Sequence, residues 1–282
     1  MRKDITAVIT GATSGIGLAS MVAMAGRGIR VIGIGRDEKK CEAAKQHVKM
    51  ACPEAAVDYV VCDLSSQVQI RQLAQEIKSR TERLDILFNN AGAVSSRYVT
   101  TVDGIELQFA VNHLAPFLLT HELLPLLKCS PQGRVITTSS ASHYGARLNF
   151  NDLMMKRSYN CLRQYKRVKL CNVLFTAELN RRLGETSTVR AFALDPGLVS
   201  TDIGLKGTSG IEKVFWKYRM RGGTSPEVPA ACALFLATDA AAFRSGEIYW
   251  RDCKAKKPNP YALREDAGRL LWEASERFCG VE

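Results

Sequence analysis

The chain has 282 residues, enough for one large α/β domain or two small ones. Hydrophobic residues make up 46% and charged residues 24%, ordinary values for a globular protein that exclude a largely disordered one. Lys and Arg outnumber Asp and Glu by 39 to 28, giving a net charge of +11. Apart from short clusters at 163–169 and 254–257 the basic residues are scattered, which favours a solvated basic face over a nucleic-acid site.

Cysteine usage and the first residues bear on the compartment. The nine cysteines are odd in number and none forms a CxxC pair, so the sequence predicts neither a zinc site nor a complete disulfide framework. The opening residues run straight into a strand-like stretch, and no apolar run reaches about 18 residues. We therefore expect a soluble cytoplasmic protein without a transmembrane segment, with a homodimer and a homotetramer as open alternatives for its assembly.

Short apolar runs alternate with longer helical patterns along the chain. The runs at 5–10, 30–34, 57–62, 84–89, 134–139 and 189–194 suit strands of a parallel sheet that is covered on both faces. Helical patterns lie between them at 16–26, 39–50, 68–79, 104–127 and 163–183, and a last strand is expected at 247–250, before a basic C-terminal segment. This alternation predicts an α/β fold: one doubly wound parallel sheet with helices on both faces.

Two segments interrupt the alternation. Residues 143–162 form an unusually long connection, and residues 200–224 place apolar side chains among glycines. Insertions of this kind are often lids or binding loops, so 200–224 is a candidate substrate cover. A surface helix packed on the core, or a dimer contact, is the alternative interpretation.

A glycine-rich turn follows the first strand. It has the spacing GxxxGxG, in which Gly11 permits a tight turn, Gly15 a close approach of a phosphate, and Gly17 close packing of helix on strand. The free N–H groups at the start of the helix would face a pyrophosphate. The candidate phosphate-binding residues are Gly11, Thr13, Ser14, Gly15, Ile16 and Gly17. A purely structural turn is the alternative.

The ends of the next three predicted strands carry further candidates. At the end of the second strand, Gly35 stands where NAD sites place an acidic residue, and Arg36 follows it. A guanidinium pairs with a 2′-phosphate, so NADP(H) is the expected cofactor, although Asp37 lies next to it. The third strand ends in Asp63, whose carboxylate would meet the adenine amino group, and Leu64. The fourth ends at the ligand-binding edge of the sheet with Asn90, Ala91 and Gly92.

Tyr165 and Lys169 form the candidate chemical centre. Their i, i+4 spacing places them on one face of a predicted helix. A phenol with a pKa near 10 is a poor base at neutral pH, but a neighbouring ammonium favours its phenolate and lowers that pKa. Tyr165 would then protonate a carbonyl oxygen, or accept the alcohol proton in the reverse direction. An exposed YxxxK pair without a function is the alternative; the preceding Ser139-Ser140 and the glycine turn favour the catalytic interpretation.

These motifs together resemble the short-chain dehydrogenase/reductase family over nearly the whole chain. The resemblance rests on 10–17, 89–92, Asn112, Ser140, Tyr165 with Lys169, and Asp195-Pro196-Gly197, in that order. Within the family, 111–114, 169–175, 252–254 and the 25-residue gap between Ser140 and Tyr165 are similar to the retinol dehydrogenase branch. The resemblance implies a single Rossmann-type domain over 1–282, with a mainly cofactor-binding half (1–130) and a catalytic and substrate half (131–282).

The resemblance also assigns roles to residues. It implies that Lys169 hydrogen-bonds the nicotinamide ribose, that Ser140 holds the substrate oxygen, and that Asn112 supports a water between Lys169 and solvent. It places the turn residues Pro196, Gly197, Val199 and Thr201 against the nicotinamide. Ser139 is the neighbouring alternative to Ser140, whereas Ser142 is a poorer match. Val168 stands where many relatives carry Ser or Ala, and we expect it to pack rather than react.

Other titratable side chains compete for these roles. Neither Tyr144 nor Tyr159 is followed by lysine four residues later, which favours Tyr165 as proton donor. For His113, His121 and His143 we favour structural or surface positions over catalysis, and no carboxylate pattern suggests a metal site.

The leading hypothesis is an NADP(H)-dependent oxidoreductase for a carbonyl/alcohol pair, with a lipophilic aldehyde or ketone as its small-molecule substrate. Two alternatives remain open at this stage. One is ene reduction, because 165–166, 170–172 and 249–250 also resemble light-dependent protochlorophyllide reductase. The other is a sensor that binds NADP(H) without turnover.

Overall fold

A sheet of mostly parallel strands organises the protein. The computed structural model describes residues 5–200 and 222–281. The strands within them are β1 (Thr6–Thr10), β2 (Arg30–Gly35), β3 (Val57–Val61), β4 (Ile86–Asn89), β5 (Gly133–Thr138), β6 (Val189–Leu194), β7 (Tyr249–Arg251) and β8 (Lys254–Ala255). Their order is β3-β2-β1-β4-β5-β6-β7-β8, with β1 to β7 parallel and β8 antiparallel to β7. The strand order reverses beside β1, and ligands of such sheets bind beyond the carboxyl ends at that point.

Helices connect the strands, and several begin at a capping side chain. They are α1 (Gly15–Ala25), α2 (Glu38–Ala51), α3 (Gln67–Arg80), α4 (Ala115–Lys128), α5 (Cys161–Leu183), α6 (Glu227–Thr238), α7 (Ala240–Arg244) and α8 (Glu265–Cys279). Asp37, Ser66 and Asn160 each accept a hydrogen bond from a backbone N–H in the first turn of α2, α3 and α5. These bonds satisfy amides that would otherwise lack partners, so each helix starts at a defined residue.

Two apolar layers pack on the two faces of the sheet. Successive side chains of a strand point to opposite faces, and Val8 accordingly belongs to one cluster while its neighbours Ala7 and Ile9 belong to the other. The first cluster takes up residues of α3, α4, α5 and α8, and the second residues of α1, α2 and α6. This arrangement confirms the predicted doubly wound sheet.

The helix predicted at 104–127 starts later and is interrupted. It consists of a short helix (Leu107–Phe109), a π-helical turn (Ala110–Leu114) and α4. Gly104 has a φ of +74°, which lies outside the helical region. Glu106 then accepts hydrogen bonds from the backbone N–H groups of Gln108 and Phe109, so the helix begins only after it.

The C-terminal third holds elements that the sequence interpretation did not contain. Helices α6, α7 and α8 and strand β8 were not predicted, and α8, which lies in the segment described only as basic, packs against α5. Of the proposed cover at 200–224, only Ser200 and residues 222–224 are described, so that prediction lies largely outside the described residues.

No helix within 5–200 or 222–281 is both long and apolar enough to span a membrane.

Candidate active site

A cleft of about 640 Å³ lies at the carboxyl edge of the sheet. Most of the residues predicted to bind cofactor or substrate line it. These are Gly11, Thr13, Ser14, Gly15, Ile16, Arg36, Asp63, Leu64, Asn90, Ala91, Gly92, Ser140, Tyr165, Lys169, Pro196, Gly197 and Val199. Gly17 and Asn112 lie behind the wall, and Thr201 lies outside the described residues. The candidate residues predicted at the ends of successive strands thus line the same cavity.

The glycine turn is held in place from β4. Gly11 and Gly15 have φ values of +65° and +55°, a region that side-chain-bearing residues rarely adopt. The Asn90 side chain donates to the Thr10 carbonyl at 2.9 Å, and the Thr10 hydroxyl oxygen accepts from the N–H groups of Asn90 and Ala91. These bonds join the ends of β1 and β4 and leave the N-terminus of α1 open to the cleft. An anion there meets free N–H groups and the positive end of the helix dipole.

Gly17 acts through packing rather than through ligand contact. A Cβ atom at this position would lie 2.2 Å from the Gly11 carbonyl oxygen, which is backbone and cannot swing away. The absence of a side chain therefore lets α1 approach the turn that would hold the pyrophosphate.

Gly17→Ala should damage both folding and dinucleotide binding. Overpacking of this kind costs about 1–3 kcal/mol, and because the displaced atoms belong to the turn, we expect the Kd of the dinucleotide to rise about tenfold or more. Urea unfolding and fluorescence titration measure the two effects. Gly26→Ala is the matched control at the other end of α1, where φ is −63° and the nearest atom to an added Cβ is 3.3 Å away. Unchanged binding in Gly17→Ala would contradict the packing role.

One end of the cleft carries the guanidinium of Arg36, and a glycine rather than an acidic residue stands at the end of β2. A Cβ at Gly35 would lie 2.5 Å from the Thr13 methyl group and 2.7 Å from the Cys41 sulfur, so the space for an acidic side chain is already filled. Exposed Arg36 lines the cleft. Asp37 does not line it, and its carboxylate caps α2 through the Lys40 N–H at 2.9 Å. Asp63 stands on the next strand end, where its Oδ1 accepts from the Ser65 N–H.

The other end of the cleft holds Tyr165 and Lys169, both on α5. Lys169 is 2% exposed, and its Nζ lies 5.6 Å from the centre of the Tyr165 ring. Nζ donates to the Thr138 carbonyl at 3.1 Å, which aims the ammonium at the end of β5. Burial lowers the pKa of Lys169 to about 8, and the negative charge of Asp195 opposes that shift. The ammonium is therefore charged at neutral pH and close to its titration range.

The two adjacent serines differ in their partners. The Ser139 hydroxyl donates to the Lys169 carbonyl at 2.8 Å and so ties β5 to α5. The Ser140 hydroxyl lies in the cleft, where it contacts the Ser142 hydroxyl at 3.3 Å and accepts from the Ser142 N–H. Ser140 is thus better placed than Ser139 to meet a substrate oxygen.

His143 holds Ser140 from behind and is not a candidate acid. Its Nε2 accepts from the Asn259 N–H at 2.9 Å, so Nδ1 carries the proton and donates to the Ser140 carbonyl at 2.8 Å. Burial lowers the pKa of His143. The imidazole is therefore neutral and structural, and Asn259 joins it to the C-terminal segment.

Asn112 lies in the π-helical turn and is 1% exposed. Its amide donates to the carbonyls of Ala93 and Gln108, both at 2.8 Å, and its Oδ1 accepts from the Ala93 N–H at 3.3 Å. The side chain therefore pairs with the backbone of the loop after β4 and does not reach the cleft. Its predicted part in a water relay stays a prediction.

The competing candidates are engaged elsewhere. The Tyr159 hydroxyl donates to the Ser95 carbonyl at 2.8 Å and accepts from the Gln108 amide at the same distance. The hydroxyl of exposed Tyr144 donates to the Lys257 carbonyl. His113 is fully buried among aromatic rings, and desolvation lowers its pKa to about 3. Neither these residues nor His121 line the cleft.

Five apolar residues that line the cleft were not predicted from the sequence. They are Val94, Leu107, Val111, Leu198 and Pro226. Leu107 and Val111 share one helical segment, but Val94, Leu198 and Pro226 come from separate segments, so no local pattern marks the whole set as neighbours. They give the cleft apolar walls.

A family model described as short chain dehydrogenase matches residues 5–210. The chain belongs to the short-chain dehydrogenase/reductase family of oxidoreductases, which bind a nicotinamide cofactor. Within that family it falls in the retinol dehydrogenase-like branch. It is 39% identical to retinol dehydrogenase 13 of Homo sapiens, an alignment covering 98% of this chain and 85% of that one.

Two further likenesses agree with this placement. The chain is 34% identical to polyprenol dehydrogenase of Homo sapiens, covering 99% of this chain and 86% of the relative. It superposes on the crystal structure of an uncharacterized protein from Mycobacterium Paratuberculosis with a TM-score of 0.75 and 31% identity, covering 99% of this chain and 94% of the other.

Proposed function

We propose that this protein is an NADP(H)-dependent oxidoreductase that interconverts lipophilic aldehydes or ketones and their alcohols. The observation that carries the proposal is one cleft with Arg36 at one end and Tyr165, Lys169 and Ser140 at the other. A dinucleotide carries its 2′-phosphate towards one end and its nicotinamide at the other, and the N-terminus of α1, which would hold the pyrophosphate, lines the same cleft.

The residues present fit the cofactor. Side chains are missing at Gly11 and Gly15, where the backbone must approach the pyrophosphate, and Gly35 leaves no carboxylate to repel a 2′-phosphate. Arg36 supplies a guanidinium with no ion pair among the described residues, suited to a bidentate contact with phosphate. At the other end, the ammonium of Lys169 and the turn at Pro196 and Gly197 would hold the nicotinamide riboside. NADP(H) is therefore favoured over NAD(H).

Side chains of this protein would bind the substrate oxygen and transfer the proton to it. When bound, the reduced cofactor supplies the hydride that the carbonyl carbon accepts. The Ser140 hydroxyl donates a hydrogen bond to the carbonyl oxygen, and Tyr165 transfers its proton to that oxygen as the alcohol forms. The charge of Lys169 stabilises the phenolate that remains, and the Thr138 carbonyl keeps the ammonium in place. Proton uptake from solvent then restores Tyr165, so one carbonyl, one hydride and one proton give one alcohol.

The walls of the cleft support a lipophilic substrate. Val94, Leu107, Val111, Leu198 and Pro226 all line the cleft, and Tyr165 packs against the cluster that contains Val94. A polar substrate would lose water there without gaining partners, whereas an alkyl or isoprenoid chain gains by burial. The likeness to retinol dehydrogenase and polyprenol dehydrogenase supports the same class.

A homologous series of straight-chain aldehydes tests the proposal. Oxidation of NADPH should proceed with each, and kcat/KM should rise by up to about fourfold for each added methylene until the apolar wall is covered, since burial of a methylene contributes about 0.8 kcal/mol. Short hydroxylated aldehydes are the control and should be poor substrates. If NADPH binds but no carbonyl compound is reduced, the protein is a sensor and the proposal fails.

A further inference from the structure

Asp195 is a buried carboxylate to which the proposed function assigns no role. It follows β6 directly and is 3% exposed. Its Oδ1 accepts from the Gly197 N–H at 3.0 Å, and its Oδ2 accepts from the Tyr249 hydroxyl at 2.9 Å. The Arg251 guanidinium is half-exposed and stands 4.0 Å away, at the limit of an ion pair. Two neutral donors therefore orient the carboxylate without neutralising it.

The sheet register brings Asp195 close to Lys169. Thr138 pairs with Leu194 across β5 and β6, so Asp195 is the next residue beyond that pair. Lys169 Nζ donates a hydrogen bond to the carbonyl of the same Thr138. Tyr249, which donates to Asp195, belongs to the core layer on the α5 side of the sheet. The carboxylate therefore points to the face from which Lys169 enters.

Burying an ammonium beside a phenol requires a compensating charge. Lys169 is only 2% exposed to solvent, and this burial lowers its pKa to about 8. Among the described residues, Asp195 is the charge that acts against this loss of the proton. Without it, desolvation alone would set the protonation of Lys169.

We propose that Asp195 is a positioning residue whose buried carboxylate keeps Lys169 protonated beside Tyr165. Tyr249 and the Gly197 N–H orient that carboxylate. The inference rests on the proposed function for its catalytic meaning, but the electrostatic coupling itself belongs to the cofactor-free chain.

The other groups around Asp195 do not replace this role. His143 is neutral, because its Nε2 accepts from Asn259, and the hydroxyls of Tyr144 and Tyr249 have raised pKa values, chiefly from burial. Besides Lys169, Arg251 is the cation near the carboxylate among the described residues, and it shares its charge with Asp195 and with exposed Asp252.

Asp195→Asn removes the charge with little change of shape. The amide oxygen of Asn can still accept from the Gly197 N–H, and its NH2 group can donate to the Tyr249 oxygen. Lys169 is followed directly by NMR on the cofactor-free protein with lysine labelled at its ε-carbon, and Lys169→Met assigns its signal. We expect the titration midpoint of Lys169 to fall by about one pH unit or more in Asp195→Asn.

Asp252→Asn is the matched control. It removes the same charge three residues beyond Tyr249, from a side chain that does not line the cleft, and its φ of +52° is one that Asn tolerates. We expect the Lys169 midpoint to stay at its wild-type value. Tyr249→Phe, which keeps the charge but removes one of its donors, should move the midpoint less than Asp195→Asn does.

Turnover provides the second measurement. For a midpoint that falls from about 8 to about 7, the charged fraction of Lys169 drops about fivefold at pH 8 and by only about a tenth at pH 6. The kcat of Asp195→Asn should therefore lose more at pH 8 than at pH 6. An unmoved NMR midpoint, or a loss that is equal at both pH values, would overturn the proposal. A shifted midpoint in a protein that reduces no carbonyl would instead overturn the proposed function and leave this coupling standing.

Discussion

Tyr165→Phe should lower kcat by about 10²- to 10⁴-fold, the usual contribution of a positioned proton donor. The substitution deletes one oxygen atom and keeps the ring, which packs with Val94 and Cys161 at the wall of the cleft. Folding and dinucleotide binding should therefore be nearly unchanged, with the loss confined to the chemical step. Single-turnover oxidation of NADPH with a good aldehyde substrate measures that step directly.

Tyr144→Phe is the matched control for this experiment. Tyr144 is exposed, does not line the cleft, and uses its hydroxyl on the Lys257 carbonyl. Its loss should leave kcat within about twofold of wild type, as expected for a surface hydrogen bond. If Tyr165→Phe kept a tenth of the wild-type rate or more, another group would have to supply the proton.

Arg36→Ala should abolish the expected preference for NADPH over NADH. Loss of a hydrogen bond to a charged group costs about 1.5–3 kcal/mol, so kcat/KM for NADPH should fall about 10- to 150-fold. NADH carries no 2′-phosphate, and its kcat/KM should change less than about threefold, because Arg36 is exposed and its removal leaves the end of β2 intact.

Lys39→Ala controls for the general loss of positive charge. Lys39 is an exposed residue of the first turn of α2 and does not line the cleft. Both cofactors should respond to it alike and weakly. Equal losses with NADPH and NADH in Arg36→Ala would show that the guanidinium does not contact a 2′-phosphate, and the cofactor proposal would then fail.

The parts of the site that follow strand ends could be predicted from the sequence. Three local patterns show their chemistry directly in the amino-acid sequence: the turn at Gly11 and Gly15, Arg36, and the pair Tyr165 and Lys169. The alternation of apolar runs fixes where those patterns fall in a doubly wound sheet. The sequence could not decide between Ser139 and Ser140 as the residue that meets the substrate oxygen. The structure distinguishes them because the Ser139 hydroxyl donates to the carbonyl of Lys169, 30 residues further along the chain.

Long-range partners could not be predicted. Asn259 reaches His143 across 116 residues, and Tyr249 reaches Asp195 across 54, and neither pair shares a motif. Val111, which lines the cleft, lies in the π-helical turn, and a helical periodicity does not reveal that turn. Helix α8 is different, since the helical spacing of Leu271, Ala274 and Phe278 is visible in the sequence.

The bonds between α5 and β5 have a consequence for how this protein can change. Ser139 donates to the Lys169 carbonyl while Lys169 and Asn172 both donate to the Thr138 carbonyl, so helix and strand hold each other in both directions. The apolar residues that line the cleft belong to other segments. Substitutions among them therefore leave the hydrogen bonds between α5 and β5 unchanged. A descendant of this chain could therefore acquire a new substrate by a few exchanges around Val94 and Val111 while inheriting its proton-transfer geometry unaltered.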